Sequence, residues 1–286
     1  MAALHSDGAR DDTHLRASRA TGEPTAVITR GTGPAVVLLN GLLGGTARLE
    51  PLADQLVAEG FRVVIVDAYR LAADAPDVSF HGLADAVAIT LRRERVNGAV
   101  VVAHAHAAGV ALRLAGSAPA LVTDLLLLDA GVLPSTRSVG VTRAMRIASI
   151  VARFPGGRSL IRARLAAGIR ANSGNGAWLT EPIAREYTDP LLDELPAVAK
   201  MVARLADARE PESVEQWLPR VRAAVTVLVG GAPHAIGASE DELALVRRIP
   251  GARVRSVNGV GHFVHEEAPQ AVLSAVLATR AQRGQP

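Results

Sequence analysis

The stretch VVVAHAHAAGV, residues 100–110, runs from an apolar segment into a turn of small residues set between two histidines, with a helical pattern behind it. Some enzymes that attack carbonyl groups through a serine present the hydroxyl at the tip of such a strand-to-helix turn. The tip here is Ala105, which carries no functional group. His104 and His106 flank it, and imidazole can exchange a proton near neutral pH or bind a metal. His-x-His is a recurrent ligand spacing, and His262 could supply a third nitrogen. Residues flanking a turn tip diverge, though, and no carboxylate adjoins them, so no metal site is assigned. The chain has no cysteine, which removes disulfides, thiolate metal sites and a thiol nucleophile together.

Short β-branched or leucine-rich runs alternate with helical patterns. TAVITRG and PAVVLLNG read as strands, ARLEPLADQLVAEG as a helix, FRVVIVDAYR as a strand and HGLADAVAITLRRERVNG as a helix. GAVVVAHA is the strand that enters the turn, HAAGVALRLAGSAP the helix that leaves it, and VTDLLLLDAG the next strand. After residue 216 the alternation resumes with AAVTVLVGG, SEDELALVRRI, ARVRSVNG and a closing helix, APQAVLSAVLATRAQ. Strands this uniformly apolar belong to a parallel sheet covered on both faces. The fold class is therefore α/β, a doubly wound, mostly parallel sheet. Residues 132–216 lack convincing strands and read as a helical cap inserted over the ligand crevice of the sheet. The expected organisation is a loose tail over 1–22, a core over 23–131 and 217–286, and the cap between.

At 286 residues and 49% hydrophobic content the chain suits one large domain with an insertion. No apolar run reaches the roughly 20 residues of a membrane span. The polar N-terminus lacks a signal-peptide pattern, which places the protein in the cytoplasm. Arginine dominates the cations, Lys200 being the only lysine, as in proteins from GC-rich bacteria. With 3% aromatics and a net charge of +3, nucleic-acid binding has little support.

Several segments, in order, resemble the α/β-hydrolase superfamily over roughly residues 25–280. LLNGLLGG, 38–45, is similar to the family's His-Gly-x-x-Gly loop, with Asn40 in place of the histidine. The resemblance makes the Leu42 N–H an oxyanion donor and puts Asn40 and Gly41 against the substrate. Ala103-His104-Ala105-His106-Ala107 resembles the small-x-nucleophile-x-small elbow, with alanine at the nucleophile position. It makes the His106 N–H the second oxyanion donor and His104 a substrate-side residue. GVGHFVHEEAPQAV, 259–272, resembles the catalytic-histidine loop, making His262 the general base and His265 a neighbouring loop residue. The usual acid is missing after VTVLVGG, where Pro233 stands; Asp129, one strand earlier, takes its place in some family members. Asp67 resembles a structural aspartate, and no role is assigned to His234.

Three functions are compatible with these residues. The first is elimination or lyase-type chemistry without a covalent step, on a small, largely apolar carbonyl- or ester-containing metabolite, with His262 as base. Relatives of this fold that act as lyases or tailoring enzymes in secondary metabolism are the analogy. The second is a serine ester hydrolase whose nucleophile has become Ala105. The third is a ligand-binding protein without catalysis. No cofactor and no metal are implied. Residues 131–180 contain Arg137, Arg143, Arg146, Arg153, Arg158, Arg162, Arg164 and Arg170 but no acid. That face could meet an acidic carrier protein, an anionic substrate group or an anionic membrane surface. The apolar stripe Val141, Met145, Ile147, Ile150, Val151 reads as a helix face packed on the domain.

Overall fold

The structure, a computed structural model, describes residues 25–132 and 138–284. The tail over 1–22 and Arg137 lie outside the described residues. Seven strands form one sheet: β1 (Val27–Arg30), β2 (Ala35–Leu39), β3 (Arg62–Val66), β4 (Ala99–His104), β5 (Val122–Leu128), β6 (Ala224–Gly230) and β7 (Arg253–Val257). Their order is β1-β3-β2-β4-β5-β6-β7. Only β1 runs antiparallel, against β3; the other pairs are parallel.

The helices are α1 (Glu50–Ala58), α2 (Ala68–Leu71), α3 (Phe80–Arg93), α4 (Ala107–Ser117), α5 (Ser138–Val151), α6 (Gly157–Ala171), α7 (Glu181–Asp193), α8 (Leu195–Asp207), α9 (Val214–Trp217), α10 (Glu240–Arg247), α11 (Val264–Glu267) and α12 (Pro269–Gln282). None of the described helices is long and apolar enough to cross a membrane. Two apolar clusters cover the faces of the sheet. One gathers α3 and α4 against Val37, Val101 and Leu127; the other gathers α1 and α12 against Val36, Val102 and Leu126. Successive side chains of a strand point to opposite faces, so burial on both sides explains the unbroken apolar runs.

The segment FRVVIVDAYR is shorter as a strand than its sequence suggests. β3 stops at Val66 because the Asp67 carboxylate accepts from the N–H groups of Tyr69 and Arg70, at 3.1 and 3.0 Å, and starts α2. Helix α10 begins with a reciprocal cap: the Ser239 hydroxyl accepts from Glu242 N–H and the Glu242 carboxylate accepts from Ser239 N–H.

Parallel register fixes which ends meet. His104 at the end of β4 lies beside Leu128 at the end of β5, and Leu128 beside Leu228 of β6. The loops that follow these strands therefore emerge together at the carboxyl edge, where open α/β sheets bind ligands. Helix α4 carries the turn after β4, and it packs on α3 through Gly109. A methyl group at Gly109 would stand 2.5–2.7 Å from the buried Phe80 ring. Gly109→Ala should therefore destabilise the fold by about 1–3 kcal/mol, the usual cost of overpacking. The measurement is urea unfolding: the midpoint should fall while the denaturant slope stays constant.

Candidate active site

Ala105 has a φ of +53°. A residue with a Cβ rarely sits in this left-handed region, which costs about 1–2 kcal/mol. Two hydrogen bonds hold it there. Ala105 N–H donates to Leu128 O at 2.9 Å, and Gly131 N–H donates to Ala105 O at 3.1 Å. The next strand end repeats the device: Asp129 has φ +46°, and its N–H donates to Leu228 O at 2.8 Å.

Asp129 is fully buried. Its Oδ2 accepts from His262 Nδ1 at 2.7 Å. With Nδ1 carrying the proton, Nε2 is the ring's free basic nitrogen. The same Oδ2 contacts His234 Nε2 at 2.9 Å, while His234 Nδ1 donates to Ala232 O at 2.7 Å. A carbonyl can only accept, so both His234 contacts are hydrogen bonds only if a proton lies on each ring nitrogen or one lies on the carboxyl group. Asp129 thus has two imidazole partners on one oxygen, and its Oδ1 has none among the described residues.

His262, Ala105, Leu42, His106, Asn40, Gly41 and His104 line one cavity of about 410 Å³. Neither Leu42 N–H nor His106 N–H has an intramolecular acceptor among the described residues. Unpaired amides of this kind are available to an oxyanion. Gly41 must be glycine, because a Cβ there would lie 2.9 Å from His104 Nδ1. Asn40 is buried and donates to Gly41 O at 3.2 Å, leaving its Oδ1 unpaired among the described residues.

His104 and His106 diverge, as turn-flanking residues should. His104 Nε2 donates to His262 O at 3.0 Å, and its ring lies 4.6 Å from that of His262 and 4.5 Å from that of His265. The His106 ring instead meets Tyr69 Oη at 2.9 Å and Phe80 at 4.7 Å. The three histidines considered as a possible metal set therefore do not converge. The one His/Asp group among the described residues close enough for a shared ion is Asp129, His234 and His262, and its 2.7 and 2.9 Å contacts are those of hydrogen bonds.

Much of what holds this arrangement was not visible in the sequence. Asn172, in the loop after α6, accepts His262 N–H on its backbone carbonyl at 2.8 Å. Its side-chain Oδ1 accepts from Ala235 and Ile236 N–H at 2.9 and 3.1 Å, so one residue fastens both histidine loops. Glu267 accepts from Gly174, Asn175 and Gly261 N–H at 2.7, 3.1 and 3.0 Å. Arg48 is buried and grips Glu266 through two nitrogens at 2.9 and 2.7 Å, with Glu186 as a further partner. Tyr187 donates to the same Glu266 at 2.8 Å. Gly237, at φ +125°, packs so closely on Asp129 and His234 that any Cβ would overlap the carboxylate. In the sequence their only signals are the NSGNG loop that begins at Asn172 and the Glu266-Glu267 pair that follows the His262 loop.

The chain belongs to the alpha/beta hydrolase family, whose profile matches residues 36–275. The sn-1-specific diacylglycerol lipase ABHD11 of Xenopus laevis is 25% identical over 252 residues, covering 85% of this chain and 78% of that protein. The mouse counterpart is 26% identical over 256 residues, covering 86% and 80%. Among solved structures, a thermophilic esterase from Thermogutta terrifontis superposes with a TM-score of 0.68 at 23% identity, covering 90% of this chain and 93% of that one. An esterase from Exiguobacterium antarcticum gives 0.70 at 15% identity, covering 88% and 94%. The profile match establishes the family, and the structural likenesses establish the fold.

Burial keeps three of the cavity histidines neutral. It lowers His106 and His265 to about 4, and it lowers His104 well below its ordinary value, helped by the neighbouring His265 and His262. An unfolded histidine titrates near pH 6.5. Between about 6.5 and 4 the unfolded chain therefore binds more protons, so these groups make stability fall as pH drops through that window. Their contribution is complete above about pH 6.5. Asp67, raised by burial, acts in the opposite direction at the acid end. Melting temperature should fall steadily from pH 7 to pH 4.5, and His265→Gln should flatten part of that slope.

Proposed function

We propose that the protein is a base-catalysed enzyme that forms no acyl-enzyme and acts on a small, largely apolar carbonyl or ester compound by elimination. The observation that carries this is the pairing of His262 with buried Asp129 in a cavity whose elbow residue, Ala105, has nothing to donate or attack with. His262 Nε2 takes the proton from the carbon next to the substrate carbonyl. The C–H electron pair becomes the enolate, and the oxyanion lies against the Leu42 and His106 amides. Collapse of the enolate forms the carbon–carbon double bond and expels the β-substituent, which takes the proton back from His262. Asp129 stabilises the imidazolium between the two transfers. Helices α5–α8 serve as the cap, since Leu165, Ile169 and Leu191 give the cavity an apolar wall. Neutral His104 and His265 keep positive charge away from His262 before the proton moves.

A second reading has one specific observation in its favour. Ala105 keeps the left-handed backbone that a serine nucleophile needs at an elbow, and the relatives named above include a lipase and esterases. On that reading the protein is an ordinary serine ester hydrolase whose nucleophile has been changed to Ala105, with the rest of the elbow kept. In a third, the same cavity binds a ligand without turning it over.

Loss of a general base typically costs about 100- to 10,000-fold in rate. On a substrate found by screening β-substituted carbonyl compounds and esters, His262→Ala should lose activity on that scale. Ala105→Ser should change the rate little, and fluorophosphonate probes should not label the protein. If Ala105→Ser instead raises turnover by orders of magnitude, with a burst phase and probe labelling, Ala105 is a disabled nucleophile, the serine-hydrolase reading is right and the elimination mechanism is wrong. Thermal stabilisation by ligands without any turnover would leave the binding reading alone standing.

A further inference from the structure

Seven large apolar side chains are exposed among the described residues, and they are not scattered. Ile147, Ile150, Phe154 and Leu160 are 53, 58, 64 and 65% exposed, and all lie between the second half of α5 and the start of α6. Leu43 and Ile236 line the cavity; only Ile89 is elsewhere. The α5 stripe is thus not a single packed face. Met145 is buried, whereas Ile147 and Ile150 are more than half exposed and border, with Arg143 and Arg146, a groove against Ala203 and Ala206 of α8. Single exposed apolar residues are ordinary, but a run on one projection of the surface marks an interaction site.

The charges on this projection have one sign. Helices α5 and α6 contain no Asp or Glu. Arg158 and Arg162 are paired with Asp193 and Asp189 of α7. Arg143, Arg146 and Arg153 are exposed and form no ion pair among the described residues; Asp207 of α8 borders the groove that Arg143 and Arg146 line. Farther along α6, Arg164 is exposed and lines the cavity. Leu160 and Arg164 are four residues apart on one helix, which stacks them on a single face. The apolar and cationic surface therefore runs from the tip of the helices to the cavity.

We propose that the α5–α6 projection docks on an anionic phospholipid bilayer, with Ile150, Phe154 and Leu160 entering the acyl boundary and Arg143, Arg146 and Arg153 meeting the phosphates. A bilayer fits better than an acidic protein because the apolar side chains are more than half exposed and stand among arginines without ion pairs among the described residues, as interfacial helices present them. Protein hot spots sit instead in well-packed pockets. Docked this way, the lipid-facing surface leads along α6 from Leu160 to Arg164 at the cavity wall, which gives an apolar substrate a route from the lipid. The proposal rests on residues outside the proton-transfer site and stands or falls separately from the chemistry above.

The test is vesicle flotation of the full chain. Vesicles of phosphatidylcholine containing about 30 mol% phosphatidylglycerol should carry the protein, and vesicles of phosphatidylcholine alone should not. High salt should weaken the binding. The triple variant Ile150→Ser, Phe154→Ser, Leu160→Ser should lose at least about tenfold in partitioning, with its melting temperature unchanged. Arg143→Gln with Arg146→Gln and Arg153→Gln should abolish the preference for the anionic lipid. Failure to float with either vesicle would overturn the proposal. So would flotation that neither variant changes, or binding to an acidic peptide while vesicles are ignored.

Discussion

Two left-handed backbone positions at the carboxyl edge of the sheet, Ala105 after β4 and Asp129 after β5, set where everything else in the cavity must lie. Each is energetically unfavourable by itself for a residue with a Cβ. Each is held by a hydrogen bond to the end of the neighbouring strand, Ala105 to Leu128 and Asp129 to Leu228. The strain is thus maintained by parallel register, and the register by apolar burial on both faces of the sheet. The tight turn at Ala105 reverses the chain so that α4 packs back on one face of the sheet, and it leaves the His106 amide without an internal partner among the described residues. The turn at Asp129 brings its carboxylate to two loops that follow later strands.

Buried charge is handled economically in this cavity. Asp129 is removed from water, and it is paired with two imidazoles on one oxygen. A lone buried carboxylate is costly, and a buried charge is retained when it is paired and hydrogen-bonded. The other cavity histidines are kept neutral by burial, so positive charge does not accumulate beside His262. His104 donates to the backbone of His262 and braces the loop from below. An imidazole that looks like a candidate ligand in the sequence is therefore a support for its neighbour.

The helices between β5 and β6 contribute more than a wall. Asn172, Glu186 and Tyr187 reach the histidine loop or the residues that hold it, through Arg48, Glu266 and direct backbone contacts. Movement of these helices would be transmitted to His262. The outer surface of the same helices carries the exposed apolar and cationic side chains, so the parts that border the cavity also border solvent.

The sequence alone determined the sheet, because apolar runs such as AVVLL, AVVVA and LLLL separated by amphipathic helices have few other ways to bury their surface. It also determined the elbow: alanines at 103, 107 and 108 followed by Gly109 mark a turn with no room for larger residues. Asp129 could be picked out because it follows a strand that must end at the same edge as Ala105. His234 could not. Its contact with Asp129 depends on β5 and β6 being neighbours and on Gly237 leaving space at the carboxylate, and the two histidines of the pair stand 28 residues apart across a loop, a helix and a strand. Nor could the sequence tell which residues of α5 face the core. A helical stripe fixes a face relative to its own axis, and only packing against α8 decided that Met145 is buried and Ile147 and Ile150 are exposed.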